Sequence, residues 1–96
     1  MDFLTIIVNI KAKADKIDFV KAEVLKIIDE TRAEKGCVQY NFHQDNENPA
    51  HFLFYEIWES DELLQAHLNS KHIVDYLAAT NGAIEDFSLN KMTKIA

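Results

Sequence analysis

Two runs of large, alternating side chains, Cys37 to Gln44 and His51 to Trp58, flank the segment Asp45-Asn46-Glu47-Asn48-Pro49. Every residue of that connection favours a turn or water, so the pair predicts a β-hairpin. Successive side chains of a strand point to opposite faces. With the turn centred near Glu47-Asn48, Phe42 faces Leu53, Tyr40 faces Tyr55 and Val38 faces Ile57. Cys37, Gln39, Asn41 and His43 then lie beside Phe52, Phe54, Glu56 and Trp58 on the other side. A one-residue slip exchanges these partners. In either register both faces carry aromatic or aliphatic bulk that water does not cover well. A sheet built on this hairpin therefore needs a layer on each side.

The rest of the chain supplies one such layer. Phe3 to Lys13 alternates Leu4, Ile6, Val8, Ile10 and Ala12 with Thr5, Asn9 and Lys11 and reads as a strand. Asp15, with Asp18 three residues on, predicts the start of a helix that runs to about Glu34 and stops at Gly36. Ile17, Val20, Val24, Ile27, Ile28 and Thr31 form its apolar stripe. Ser60, followed by Asp61 and Glu62, predicts a second helix start, with Leu63, Leu64, His67 and Leu68 on one face. Ser70 predicts a further one, in which Ile73, Tyr76, Leu77 and Thr80 share a face until Asn81-Gly82. Asp86 to Ile95 alternates again and closes the chain as a fourth strand. The order β-α-β-β-α(α)-β predicts an α+β, ferredoxin-like fold with an antiparallel four-stranded sheet.

The 96 residues predict one domain, 1–96, which buries roughly 60–65% of its unfolded surface. No element is left over to cover the second sheet face. The expectation is a homodimer, sheet against sheet. A balance of 10 Lys+Arg against 16 Asp+Glu argues against nucleic acid and anionic membranes as partners. One cysteine, Cys37, excludes an internal disulfide, no stretch is long enough to span a membrane, and residues 1–10 lack the basic flank of a signal peptide. A cytoplasmic protein is expected.

Candidate chemistry gathers around the strand Tyr55-Glu56-Ile57-Trp58 and the segment His67-Leu68-Asn69-Ser70-Lys71-His72. His67 interrupts an apolar helix face, either as a core histidine bonded to a carbonyl or as a neutral imidazole aimed into a cavity. His72 lies near a helix start, where the helix dipole disfavours protonation, with Tyr76 one turn on. Trp58 is core packing or a pocket wall. Glu56, a carboxylate within an aromatic strand, needs a partner, and Lys11, Lys91, a histidine or the other subunit are the candidates. Asn9, Asn41 and Gln39 are ladder-side amides or substrate-orienting groups, and His43 and His51, beside the hairpin loop, are expected to be exposed. There is no Gly-rich phosphate loop, no HExxH, no Cys/His cluster and no recognisable nucleophile setting. No flavin, haem or metal is expected, and any catalysis rests on side chains and an apolar pocket.

The ordered set Gly36-Cys37-Val38-Gln39-Tyr40-Asn41-Phe42-His43-Gln44-Asp45, Asn48-Pro49, Phe52-Leu53-Phe54-Tyr55-Glu56-Ile57-Trp58-Glu59-Ser60 and Leu64-Gln65-Ala66-His67-Leu68-Asn69-Ser70-Lys71-His72 resembles the antibiotic biosynthesis monooxygenase domain. The resemblance implies a dimeric α+β barrel. It also implies cofactor-free oxidation of a quinol- or anthrone-like aromatic: a base removes a proton and the resulting anion reduces O₂. His67 or His72 is then the base. Phe52, Phe54, Glu56, Trp58 and Tyr76 line the substrate, with Asn9 as a polar contact. Haem-degrading members carry tryptophan where this chain has His67, and their axial histidine falls on Leu77, so haem degradation is disfavoured. Two other readings compete: a non-oxidative isomerase of a small polar or phosphorylated metabolite, which needs cationic residues in the pocket, and a non-catalytic dimeric ligand-binding module.

Overall fold

A computed structural model describes residues 3–96. Strand β1 (Leu4–Ala12) leads through α1 (Ile17–Leu25) and α2 (Ile28–Arg32) into the hairpin β2 (Cys37–Gln44) and β3 (His51–Trp58). Helices α3 (Asp61–Leu68) and α4 (Lys71–Ala79) follow, and β4 (Ile84–Met92) closes the chain. The strands form one antiparallel sheet in the order β2-β3-β1-β4, the ferredoxin-like α+β arrangement. Among the described residues no helix is long and apolar enough to cross a membrane.

The hairpin register differs by one residue from the expected one. Tyr40 pairs with Glu56, Phe42 with Phe54 and His43 with Leu53. Only Cys37–Trp58 keeps the expected pairing, and a bulge that skips Val38 absorbs the difference. Two causes act together. Asp45 Oδ1 accepts from the Glu47 and Asn48 amides (2.9 and 3.3 Å), and the Asp45 and Asn48 backbones pair with His51, which centres the turn later. In this register Tyr40, Phe42, Phe52, Phe54 and Trp58 also share the face that meets the helices, with Ile6, Val8 and Ile10 of β1. Each such burial is worth roughly 1.5–3 kcal/mol. The other face carries Gln39, Asn41 and His43 beside Leu53, Tyr55 and Ile57.

The expected continuous helix from Asp15 to Glu34 is two helices. At Lys26 and Ile27 the amides bond three residues back, to Glu23 (3.3 Å) and Val24 (3.0 Å). The tighter turn admits two successive isoleucines, Ile27 and Ile28, to the core. Lys16 rather than Asp15 occupies the first cap, with no side-chain bond. Ser60 caps α3 by accepting from the Leu63 amide at 3.2 Å. Ser70 sits at the cap of α4, but its hydroxyl donates backwards to the His67 carbonyl at 2.6 Å instead of capping. The last strand ends at Met92, leaving Ile95 beyond it and exposed.

Gly36 lies in the turn after α2 at φ +87°, where a Cβ would come within 2.5 Å of the Leu63 side chain. Glu59 N donates to its carbonyl at 2.9 Å, so the turn is tied to the end of β3. Gly36→Ala is expected to destabilise the fold by at least about 1–2 kcal/mol from the left-handed backbone alone, with the Leu63 clash adding to it. Urea unfolding of the variant measures this; an unchanged midpoint would show that the turn relaxes freely.

Candidate functional site

Glu56 points from β3 into the helix-covered face and is 4% exposed. Its partner is Trp58, two residues along the same strand face, whose indole Nε1 donates to Glu56 Oε1 at 2.9 Å. The lysines considered as partners lie elsewhere: Lys91 pairs with Asp61 at 2.7 Å and Lys11 with Glu85 at 3.8 Å. One neutral donor does not compensate for burial of a charge. Burial pushes the Glu56 pKa up to about 7; the Trp58 bond opposes the shift and the Glu34 charge reinforces it.

Beside Glu56 is a cavity of about 110 Å³ between the sheet and α3–α4. Val8, Ile10, Phe54, Ile73 and Leu89 form its apolar wall, and Tyr40, Glu56, His67 and Tyr76 are its polar groups. None of the lining residues is Lys or Arg. The Tyr76 hydroxyl is buried with no hydrogen-bond partner of good geometry. Burial raises its pKa to about 12, with the nearby Thr80 hydroxyl offsetting little.

His67, in the last turn of α3, is 3% exposed. Its ring stacks obliquely on Trp58 (centroids 4.6 Å, 34°) and meets Tyr40 edge-on at 5.6 Å. Nδ1 lies 2.6 Å from Glu34 Oε2. The same oxygen is 3.0 Å from Nε2 of His72, in the first turn of α4. Thr31 Oγ1 stands 3.1 Å from that nitrogen, and Glu30 Oε2 is 3.5 Å from His72 Nδ1. Burial holds the His67 pKa below the ordinary imidazole range, and the Glu34 bond and charge only partly restore it.

Glu34, His67 and His72 are the described residues grouped closely enough to hold a metal ion. Two ligands of a tetrahedral ion, at bond lengths near 2.1 Å, stand about 3.4 Å apart. The 2.6 Å separation of His67 and Glu34 is instead that of a charge-assisted hydrogen bond.

Of the residues singled out from the sequence, Phe54, Glu56, His67 and Tyr76 meet at the cavity. Trp58 stands behind it, fully buried, holding Glu56 and His67. Phe52 is also fully buried and stacks on Phe42 at 5.2 Å, away from the cavity. His72 does not line the cavity but is linked through Glu34 to His67, which does. Asn9 is not a contact of this site. Its strand partner is Leu53 on the opposite sheet face, and its Oδ1 takes His51 Nε2 at 2.7 Å. His51 also meets Asp45 Oδ2 at 3.0 Å, so it is half-buried rather than free, while His43 is exposed.

The sequence reading missed Glu34. The signal was the stripe itself: Ile27, Thr31 and Glu34 follow at helical spacing, so a buried stripe runs on into a carboxylate.

The sequence profile of the family described as Antibiotic biosynthesis monooxygenase matches residues 3–79. The uncharacterized protein sll1783 of Synechocystis sp. is 30% identical over 88 residues, 92% of this chain. The chain spans 60% of that relative's length. The crystal structure of PA3566 from Pseudomonas aeruginosa superposes with a TM-score of 0.95 at 26% identity, over 100% of this chain and 97% of that one. A crystal structure described as an antibiotic biosynthesis monooxygenase gives 0.91 at 26% identity, over 97% and 99%.

The Glu56 shift has a pH signature. Between pH 4.5 and about 7 the folded protein keeps a proton that the unfolded chain releases. This contribution to stability is complete below the lower value and is lost as pH rises through the upper one. Wild type is therefore expected to lose up to about 3 kcal/mol relative to Glu56→Gln across that window. Urea unfolding of both proteins at the two ends measures it, and a constant difference would mean that Glu56 is ionised throughout.

Proposed function

Because this chain belongs to the antibiotic biosynthesis monooxygenase family, we propose that it oxidises a single-ring quinol or phenol with O₂, the electrons coming from the substrate itself. The observation that carries this reading is the cavity in which His67, Glu56 and Tyr76 converge between apolar walls. An apolar cavity of about 150 Å³ binds benzene. At about 110 Å³ this one is of the order of a single ring.

His67, neutral because it is buried, accepts the phenolic proton. The phenolate gives one electron to O₂, and the resulting radical pair joins through a ring C–O bond. The peroxide takes the proton back from His67. Loss of the ring C–H proton together with hydroxide releases water and leaves a ring carbonyl. One atom of O₂ is thus in the product and the other in water. Tyr76 and protonated Glu56 offer hydrogen bonds that orient the substrate oxygens. The absence of Lys and Arg from the wall counts against an isomerase of a phosphorylated metabolite.

The assembly proposed is a homodimer, sheet against sheet. Its support is the uncovered outer face, where Phe3, Ile7, Tyr55, Ile57 and Met92 border an open groove of about 690 Å³. Light scattering at micromolar concentration is expected to give about twice the chain mass. A monomer would remove the second layer and with it the barrel.

Hydroquinones are expected to raise the melting temperature and to support oxygen uptake, whereas sugar phosphates do neither. His67→Ala is expected to lower turnover by about 10²–10⁴-fold. Binding without turnover would make the protein a ligand-binding module. Full activity per folded molecule in His67→Ala, with stability lower by about 1–3 kcal/mol, would make the histidine structural.

A further inference from the structure

A histidine in a cavity is a base only at a nitrogen that carries a lone pair, and the two ring nitrogens of His67 are not equivalent here. A carboxylate can only accept hydrogen bonds. Glu34 Oε2 faces His67 Nδ1 at 2.6 Å and His72 Nε2 at 3.0 Å, so each of these nitrogens carries a hydrogen. His67 is then the Nδ1–H tautomer, and Nε2, which has no protein hydrogen bond among the described residues, keeps its lone pair for a bound molecule. We propose that Glu34 is the positioning residue that makes His67 a base at Nε2, with His72 holding the Glu34 carboxylate in place.

The geometry distributes these roles over three elements. Glu34 sits in the turn after α2, its amide bonded to the Thr31 carbonyl at 3.0 Å and its carbonyl to the Cys37 amide at 3.2 Å. His67 ends α3 and His72 begins α4, and Ser70 between them ties back to the His67 carbonyl at 2.6 Å. His72 is 12% exposed in its side chain and does not border the cavity, so it acts on Glu34 and not on substrate. Trp58, stacked on the His67 ring, fixes the plane in which the Nδ1–Glu34 bond is made. When His67 Nε2 takes a proton from a substrate hydroxyl, the imidazolium forms against an existing carboxylate, with no new charge left unpaired. Glu34 is thereby assigned to the base that the proposed oxidation requires, and this assignment rests on that reading for its catalytic meaning.

The tautomer is observable without any substrate. Nitrogen-15 correlation spectra of histidine-labelled protein at pH 8 are expected to show His67 protonated at Nδ1 in wild type. In Glu34→Gln, whose amide can donate to Nδ1, the proton is expected to move to Nε2. Oxygen uptake with a hydroquinone is then expected to fall by about 10²–10⁴-fold, as it does when a base is held in the wrong tautomer. A wild-type His67 protonated at Nε2 would overturn the proposal, and this readout needs no variant to fold. A tautomer unchanged in a folded Glu34→Gln would overturn it as well. A wild-type Nδ1–H tautomer that moves in the variant, in a protein that oxidises no quinol, would uphold the positioning role and refute the oxidation.

Discussion

A strand can send only every second side chain into a core, and in β3 that rule delivers Phe52, Phe54, Glu56 and Trp58 to the same face. Everything around the cavity depends on this. Three of the four are apolar enough to drive burial, and the carboxylate is carried in with them. Among the described residues Trp58 supplies the carboxylate's side-chain donor, and it does so from the same strand, so the pair is set by the pleat rather than by packing of distant elements. The hairpin bulge at Val38 then brings Tyr40 and Phe42 to that same side.

Two carboxylates serve the site in opposite electrostatic settings. Glu34 is held by two imidazoles and lies partly open to water, whereas Glu56 has one neutral donor and almost no water. Burial therefore acts on Glu56 and brings its proton into the neutral pH range. A carboxyl group that holds its proton up to about neutral pH, an imidazole and two phenols facing one small apolar space form a site that tolerates little net charge.

The antiparallel order and the element succession were legible because they follow from periodicity and from caps such as Ser60, which act within a few residues of sequence. The hairpin register was less so. Its two settings both bury aromatics, and the choice between them came from the Asp45 turn bonds and from which face the helices cover. The break at Lys26–Ile27 left no mark in composition, since both segments continue one apolar stripe. Asn9 read as a pocket amide because strand polarity alone does not say which face holds the cavity.

The sequence by itself determined that Glu56 and Trp58 share a face, that His67 interrupts an apolar helix face, and that these belong to a four-stranded sheet with helices. The Glu56–Trp58 bond follows from that shared strand face, whereas only the tertiary structure decided what His67 touches. Glu34 and His67 are thirty-three residues apart in the chain, and their 2.6 Å bond forms because the turn after α2 is anchored at Gly36 against Leu63 of α3. Local rules fix which side of an element a group occupies. The partner it meets there is set by how separate elements pack, and no spacing along the chain encodes that distance.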